Sequence, residues 1–155
     1  MNEQIFHNDR NTGGGGRDIP AVHDLKVYTP AMDFDLSVRF YRALGFELTE
    51  GWGGTMDCRL GGAVFRLQNY YVGDWANNFM MLFGVEDAAS WYDHARGVID
   101  AGEFGAARVA RPELVDGSTG THVWDPSGVL LIVLLSKWFR EVGSSENGSG
   151  GDDQG

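Results

Sequence analysis

The sequence predicts an α+β domain made of two βαβββ modules whose strands form a curled mixed sheet around a cleft. Three observations carry this. An acidic helix start follows a strand-like stretch twice, Asp33 seven positions after Lys26 and Asp87 seven positions after Met80. Each helix carries adjacent aromatics, Phe40-Tyr41 and then Trp91-Tyr92. Each half closes on a glycine turn before an apolar strand, Gly62-Ala63-Val64 and Gly128-Val129-Leu130. An order repeated at this spacing is an internal duplication, and two such modules pack as one α+β domain.

The elements follow in order. Residues 24–29 alternate as a strand, and Pro30, which lacks an amide hydrogen, places it at an edge or bend. Asp33 or Asp35 caps a helix with Leu36, Phe40, Tyr41 and Leu44 on its inner side, and Gly45 ends it. Residues 46–50, 55–60 and 63–68 read as strands, the last two joined by the hairpin pair Gly61-Gly62. Residues 69–78 are a polar-aromatic linker. The order then restarts with a strand over 79–85 and a helix from Glu86-Asp87 to Gly102 with Ala88, Trp91, Tyr92, Ala95 and Ile99 inward. Strands over 106–110 and 119–124 lead to Asp125-Pro126-Ser127-Gly128, a turn in which Asp bonds its own backbone and Gly admits positive φ. The run 129–135 is uniformly apolar and reads as a strand buried on both faces.

Length fits one domain over 21–137, with modules at about 24–68 and 79–135. The Gly-rich ends, 1–20 and 138–155, hold too little apolar surface to offset ordering entropy and read as flexible tails. Net charge is −10, and residues 20–140 hold 15 acidic and 10 basic side chains with no basic cluster. That balance argues against nucleic acid and anionic membranes as partners. The lone Cys58 excludes an internal disulfide, fits a reducing compartment and reads as packed in a strand. With no charged-then-apolar leader and no long apolar run, the expectation is a cytoplasmic protein.

The segment PAMDFDLSVRFYRALGFEL, the hairpin strand GGAVFRLQ, FMMLFGVEDAASWYDH and WDPSGVLLIV together resemble the glyoxalase / bleomycin-resistance / extradiol-dioxygenase superfamily, the vicinal oxygen chelate proteins. The likeness runs from about Lys26 to Leu135. Enzymes of that superfamily chelate a divalent metal on inward His, Gln or Glu side chains of four strands. The resemblance places those positions at Lys26, Arg66, Met80 and Ile132. Two are cations, one is a weak soft donor and one has no donor, so they cannot hold such a metal. A register slip of one residue gives only apolar side chains. The resemblance therefore points to the metal-free, bleomycin-resistance-like branch, with no cofactor, whose members are homodimers with ligand clefts at the subunit interface. His7, His23, His94 and His122 are the histidines; none has a carboxylate at a matching spacing.

Strand alternation extends the register to Tyr28, Val64, Gln68, Leu82, Gly84, Leu130 and Leu134. The result is a mostly apolar floor with a few polar points, open also to reading as ordinary core. Trp52, between glycines, and Trp75, in the linker, either stack on a planar or cationic ligand or pack at a dimer seam. Trp91 reads as core. Arg66 needs a partner, either a ligand anion or a protein acid such as Asp57. His122 and Trp124 share a strand face and can line the cavity.

The leading reading is a metal-independent, homodimeric protein that sequesters a small, partly aromatic molecule. Its ligand-binding set is Lys26, Tyr28, Trp52, Arg66, Gln68, Trp75, Met80, His122, Trp124 and Ile132, with no catalytic residue. The alternative is a superfamily lyase, isomerase or dioxygenase with a displaced metal site, using His122, His23 or Asp57 as acid or base. A third is an interaction module without a small ligand.

Overall fold

The computed structural model describes residues 19–115 and 117–136. Both expected tails, apart from Ile19 and Pro20, lie outside the described residues, as does Trp138.

Strand β1 (Tyr28–Pro30) is shorter than the expected 24–29, although the Arg66 amide already donates to Val27 O at 2.8 Å. Pro30 stands, as expected, on an edge strand. Helix α1 (Phe34–Ala43) starts at Asp33, whose carboxylate accepts from Leu36 N at 3.0 Å, and the chain leaves it through Gly45 at φ 104°. Strands β2 (Glu47–Glu50), β3 (Met56–Leu60) and β4 (Ala63–Gln68) follow, with a single 3-10 turn over Trp52–Gly54. Gly61 takes φ 55° in the β3–β4 hairpin, a conformation costly for other residues. The expected linker contains one helical turn, α2 (Gly73–Ala76), anchored by buried Ala76.

The second module repeats the order with β5 (Met80–Val85) and α3 (Ala88–Ala101), capped by Asp87 through Ala89 N and Ser90 N. Then come β6 (Arg108–Val109), β7 (Glu113–Val115), β8 (Ser118–Trp124) and β9 (Leu130–Leu135). Strand β7 was not expected from the sequence; it pairs with the start of β8 over three residues.

The α+β class and the two modules stand as the sequence predicts. In place of one curled sheet the strands form two open sheets. One is ordered β1-β4-β3-β2; the other is β5-β9-β8-β6 with β7 also on β8. In each, the first strand runs parallel to the last of its module, Tyr28 beside Arg66 and Met80 beside Leu130. Both sheets turn one face, with α1 and α3, into a single core containing Phe40, Tyr41, Phe46, Phe65, Leu67, Ala95, Val123, Leu131 and Val133. Edge-to-face aromatic contacts run through it, Tyr41 to Phe65 at 5.0 Å and Phe46 to Phe83 across the modules at 6.0 Å.

Strand β9 corrects one expectation. Val129, Leu131 and Val133 are 0%, 3% and 2% exposed, but Leu130, Ile132 and Leu134 are only half-buried. Beside them Met80 and Leu82 are 56% and 66% exposed. The buried face contributes about 1.5–3 kcal/mol per large side chain. The other face is just as apolar, and it opens to solvent along β5 at Met80 and Leu82.

The Asp125 turn joins the modules. Asp125 Oδ1 accepts from Ser127 N at 2.8 Å and Val129 N at 2.9 Å, and Oδ2 accepts from the Tyr41 hydroxyl of α1 at 2.8 Å. Ser127 Oγ accepts from Met32 N at 2.9 Å. Asp125 is fully buried, and desolvation pushes its carboxyl up to about 6 against these hydrogen bonds. Desolvation, and after it the Asp125 charge, raises the Tyr41 phenol well above its ordinary range.

Candidate functional site

The outward face of the first sheet is polar. Arg66 on β4 lies opposite Asp57 on β3 and beside Tyr28 on β1. Because side chains alternate, Phe65 and Leu67 enter the core while Arg66 and Val64 face away from it. The guanidinium donates twice to Asp57, Nε to Oδ1 at 2.6 Å and Nη2 to Oδ2 at 3.0 Å. Its carbon sits 5.7 Å from the Tyr28 ring centre. Lys26 Nζ lies 3.0 Å from Asp24 and 3.9 Å from Asp57. The Arg66 hydrogen bond, opposed by burial and helped by the charges of Arg66 and Lys26, holds the Asp57 carboxyl below its usual range; the same pairing raises Arg66. Of the two partners open to Arg66 in the sequence, the protein acid is present. Two cations around one buried-side acid leave Lys26 shared between Asp24 and Asp57.

This pair has a pH signature. A lowered folded pKa stabilises the protein above the unfolded value near 3.9 and is lost as pH falls through the folded value. Asp57→Asn is therefore expected to lose stability at neutral pH but to narrow its deficit below about pH 4. Urea unfolding at pH 7 and pH 3 checks this, and a constant difference would contradict it.

Trp52 borders the same face. The Gly51 backbone runs so close to Arg66 that an added Cβ would meet its Nε at 3.2 Å, and Thr55 Oγ1 holds the turn by donating to Trp52 O at 2.7 Å. Trp52 itself is 81% exposed. Gly53 and Gly54 take φ 68° and 74°, the freedom expected of a turn that can move this ring. Gln68 sits at the end of the face, paired with Pro30. Trp75 is exposed on α2.

The outward face of the second sheet is different. Pairing sets Met80, Leu130, Trp124 and Arg108 in one row across β5, β9, β8 and β6, and Leu82, Ile132 and His122 in the next. A third row is Gly84, Leu134, Gly120 and Glu113. Five aliphatic side chains thus give way to an aromatic and charged side. His122 Nδ1 is 3.8 Å from Glu113, and its ring is 5.9 Å from Trp124. The Arg108 guanidinium lies over the Trp124 ring, 3.4 Å from its centre. Arg108 and Glu113 were missed in the sequence. The expected strand over 106–110 held Arg108, but its partner depended on a loop length that the sequence leaves free.

Within one chain these two faces look outward on either side of the shared core, so Lys26, Tyr28, Arg66 and Gln68 do not meet Met80, Ile132, His122 and Trp124. His23 is exposed before β1, and His94 Nε2 bonds Leu44 O at 2.9 Å, closing the end of α1. Trp91 packs partly buried against the core, as expected. Cys58 is buried on β3, and desolvation pushes its thiol up to about 12, which makes it inert near neutral pH. Among the described residues no three His, Cys, Asp or Glu side chains converge to hold a metal ion, and no helix is long and apolar enough to cross a membrane.

No family model matches the sequence, and no curated protein does. Solved structures match clearly. A bleomycin resistance determinant encoded on the transposon Tn5 is 26% identical, with a TM-score of 0.63 over 75% of this chain and 99% of that one. A bleomycin-binding protein complexed with bleomycin is 27% identical, with a TM-score of 0.61 over 75% and 100%. A lactoylglutathione lyase from Agrobacterium tumefaciens, 18% identical, shares the fold with a TM-score of 0.53 over 77% and 98%. With its duplicated βαβββ modules, paired first and last strands and these structural relatives, the chain has the fold of the glyoxalase / bleomycin-resistance, or vicinal oxygen chelate, superfamily and is similar to its bleomycin-binding members.

Proposed function

We propose that the chain is a metal-independent protein that sequesters a small, partly aromatic molecule and works as a homodimer. The observation that carries this is the open apolar face of the second sheet. Met80 and Leu82 are largely exposed, and Leu130, Ile132 and Leu134 beside them are half-buried, in one contiguous patch. A patch of this kind, edged by polar groups, is what binding surfaces present. The polar face of the first sheet, with Lys26, Tyr28, Arg66 and Trp52, is its natural complement. A second copy that sets its first sheet over this second sheet would reunite the candidate residues in two equal clefts.

Two further facts support sequestration. Structural relatives of the chain include a bleomycin-binding protein and a bleomycin resistance determinant. The four positions that the family resemblance assigns to metal ligands hold Lys26, Arg66, Met80 and Ile132, whose chemistry does not fit a divalent metal. Asp57, named as a possible base, is bonded to Arg66, which lowers its pKa and so weakens it as a base.

The test is elemental analysis of purified protein with titration calorimetry, before and after chelator treatment, against bleomycin and simple aromatic compounds. Sub-stoichiometric metal and chelator-insensitive binding are expected. Stoichiometric metal with metal-dependent turnover sinks the proposal. Light scattering on a sizing column is expected to give twice the chain mass.

A further inference from the structure

We infer that the site takes an anionic ligand, a carboxylate, sulfonate or phosphate on an apolar body, and that Arg108 is the residue which reads its charge. This rests on the binding reading above and adds the ligand class. An exposed tryptophan on a ligand face suggests cation recognition, because the ring presents negative potential. Here that surface of Trp124 is occupied by the protein's own cation, the Arg108 guanidinium 3.4 Å from the ring centre. Cross-strand pairing fixes the arrangement, since Arg108 and Trp124 are direct partners on β6 and β8. Stacking orients the guanidinium plane while leaving its N–H edges free to donate, and a planar fork of donors suits a carboxylate or phosphate oxygen pair.

Among the described residues no carboxylate lies within ion-pair distance of Arg108, a condition it shares with Arg39, Arg42, Arg59 and Arg111; of the cations on the two outward sheet faces discussed above, Lys26, Arg66 and His122 each have one. The nearby acid, Glu113, is in another row and is directed to His122. Along the Arg108 row the next side chains are Trp124, Leu130 and Met80, so a cation caps one end of an apolar strip. A molecule with an apolar or aromatic body and a terminal anion matches that strip along its length. A cationic ligand would set its charge against Arg108. The acidic net charge of the chain does not oppose this, because close hydrogen-bonded contacts outweigh screened distant charge.

Calorimetry with 2-naphthoate and octanoate, each beside its neutral amide, and with 2-naphthylmethylammonium tests the inference and tells aromatic from aliphatic bodies. The expected result is that at least one anion binds about tenfold tighter than its amide. Arg108→Gln is expected to erase that preference, and Arg108→Lys to keep part of it. Because Arg108 is exposed, both variants should fold as the parent does. Equal binding of acid and amide, or tighter binding of the ammonium, overturns the anion assignment; a preference that survives Arg108→Gln but vanishes in Arg66→Gln overturns the role of Arg108; either result leaves sequestration standing. Failure of every probe, together with bleomycin, overturns both.

Discussion

Asp125→Ala is expected to destabilise the protein by about 2–4 kcal/mol, since it strands three donors that water does not reach. These are the Ser127 and Val129 amides and the Tyr41 hydroxyl. Tyr41→Phe removes only one of the three bonds and should cost about 1–2 kcal/mol, and the double variant should cost less than the two together. The pH dependence is the sharper measurement. Burial raises the folded pKa of Asp125 to about 6, against about 3.9 in an unfolded chain. The folded state therefore binds the proton more tightly. Its contribution is fully present below the unfolded value and is lost as pH rises through the folded value, by about 3 kcal/mol across that window. Asp125→Asn lacks this loss, so its stability relative to the parent should improve from pH 4 to pH 7. Urea unfolding across that range decides it, and an unchanging difference refutes the assignment. Asp57 has the opposite sign, so the two acids separate cleanly on the pH axis.

Leu82→Glu is expected to have the largest effect on function. Leu82 is 66% exposed at the edge of the apolar face, so the substitution should leave the unfolding free energy of the isolated chain within about 0.5 kcal/mol. On the proposed model the same position lies inside the composite cleft, where a new carboxylate is both desolvated and set against an apolar partner. Ligand affinity should fall about 100-fold, and the dimer should dissociate at concentrations where the parent does not. Calorimetry and sedimentation velocity report the two effects separately. Unchanged mass and unchanged affinity in a folded variant would falsify the placement of the cleft.

Much of the fold was legible because its signals are local. Asp33 and Asp87 cap their helices, Gly45 and Gly61 take the positive φ that their positions require, and Pro30 sits on an edge strand. Register was legible too. The alternation that grouped Leu130, Ile132 and Leu134 in the sequence is the one the ladder holds. What could not be read was which face of β9 the chain itself covers. Both faces are equally apolar, and only the packing of α1 and α3 selects Leu131 and Val133 for the core. The Arg108–Trp124 stack was hidden for a related reason. It depends on how the chain between β6 and β8 returns, and β7 in that connection carries too few residues to announce itself. The Asp57–Arg66 pair was readable as one of two choices, because a cation in an apolar strand must find an acid somewhere.

The hydrogen bonds of the Asp125 turn also bear on how the chain reaches its structure. Tyr41 and Asp125 are 84 residues apart, and Met32 and Ser127 are 95 apart. Each sheet likewise closes by pairing its first strand with a distant one in parallel. Loops of that length must be ordered before these contacts repay them, which slows folding. Neither half is therefore self-sufficient despite its internal likeness to the other. A fragment ending in the 69–78 linker lacks the acceptor for Tyr41, and the complementary fragment holds a buried carboxyl without its donor. The duplicated modules should unfold in one cooperative transition, so that two copies of one pattern behave thermodynamically as a single unit.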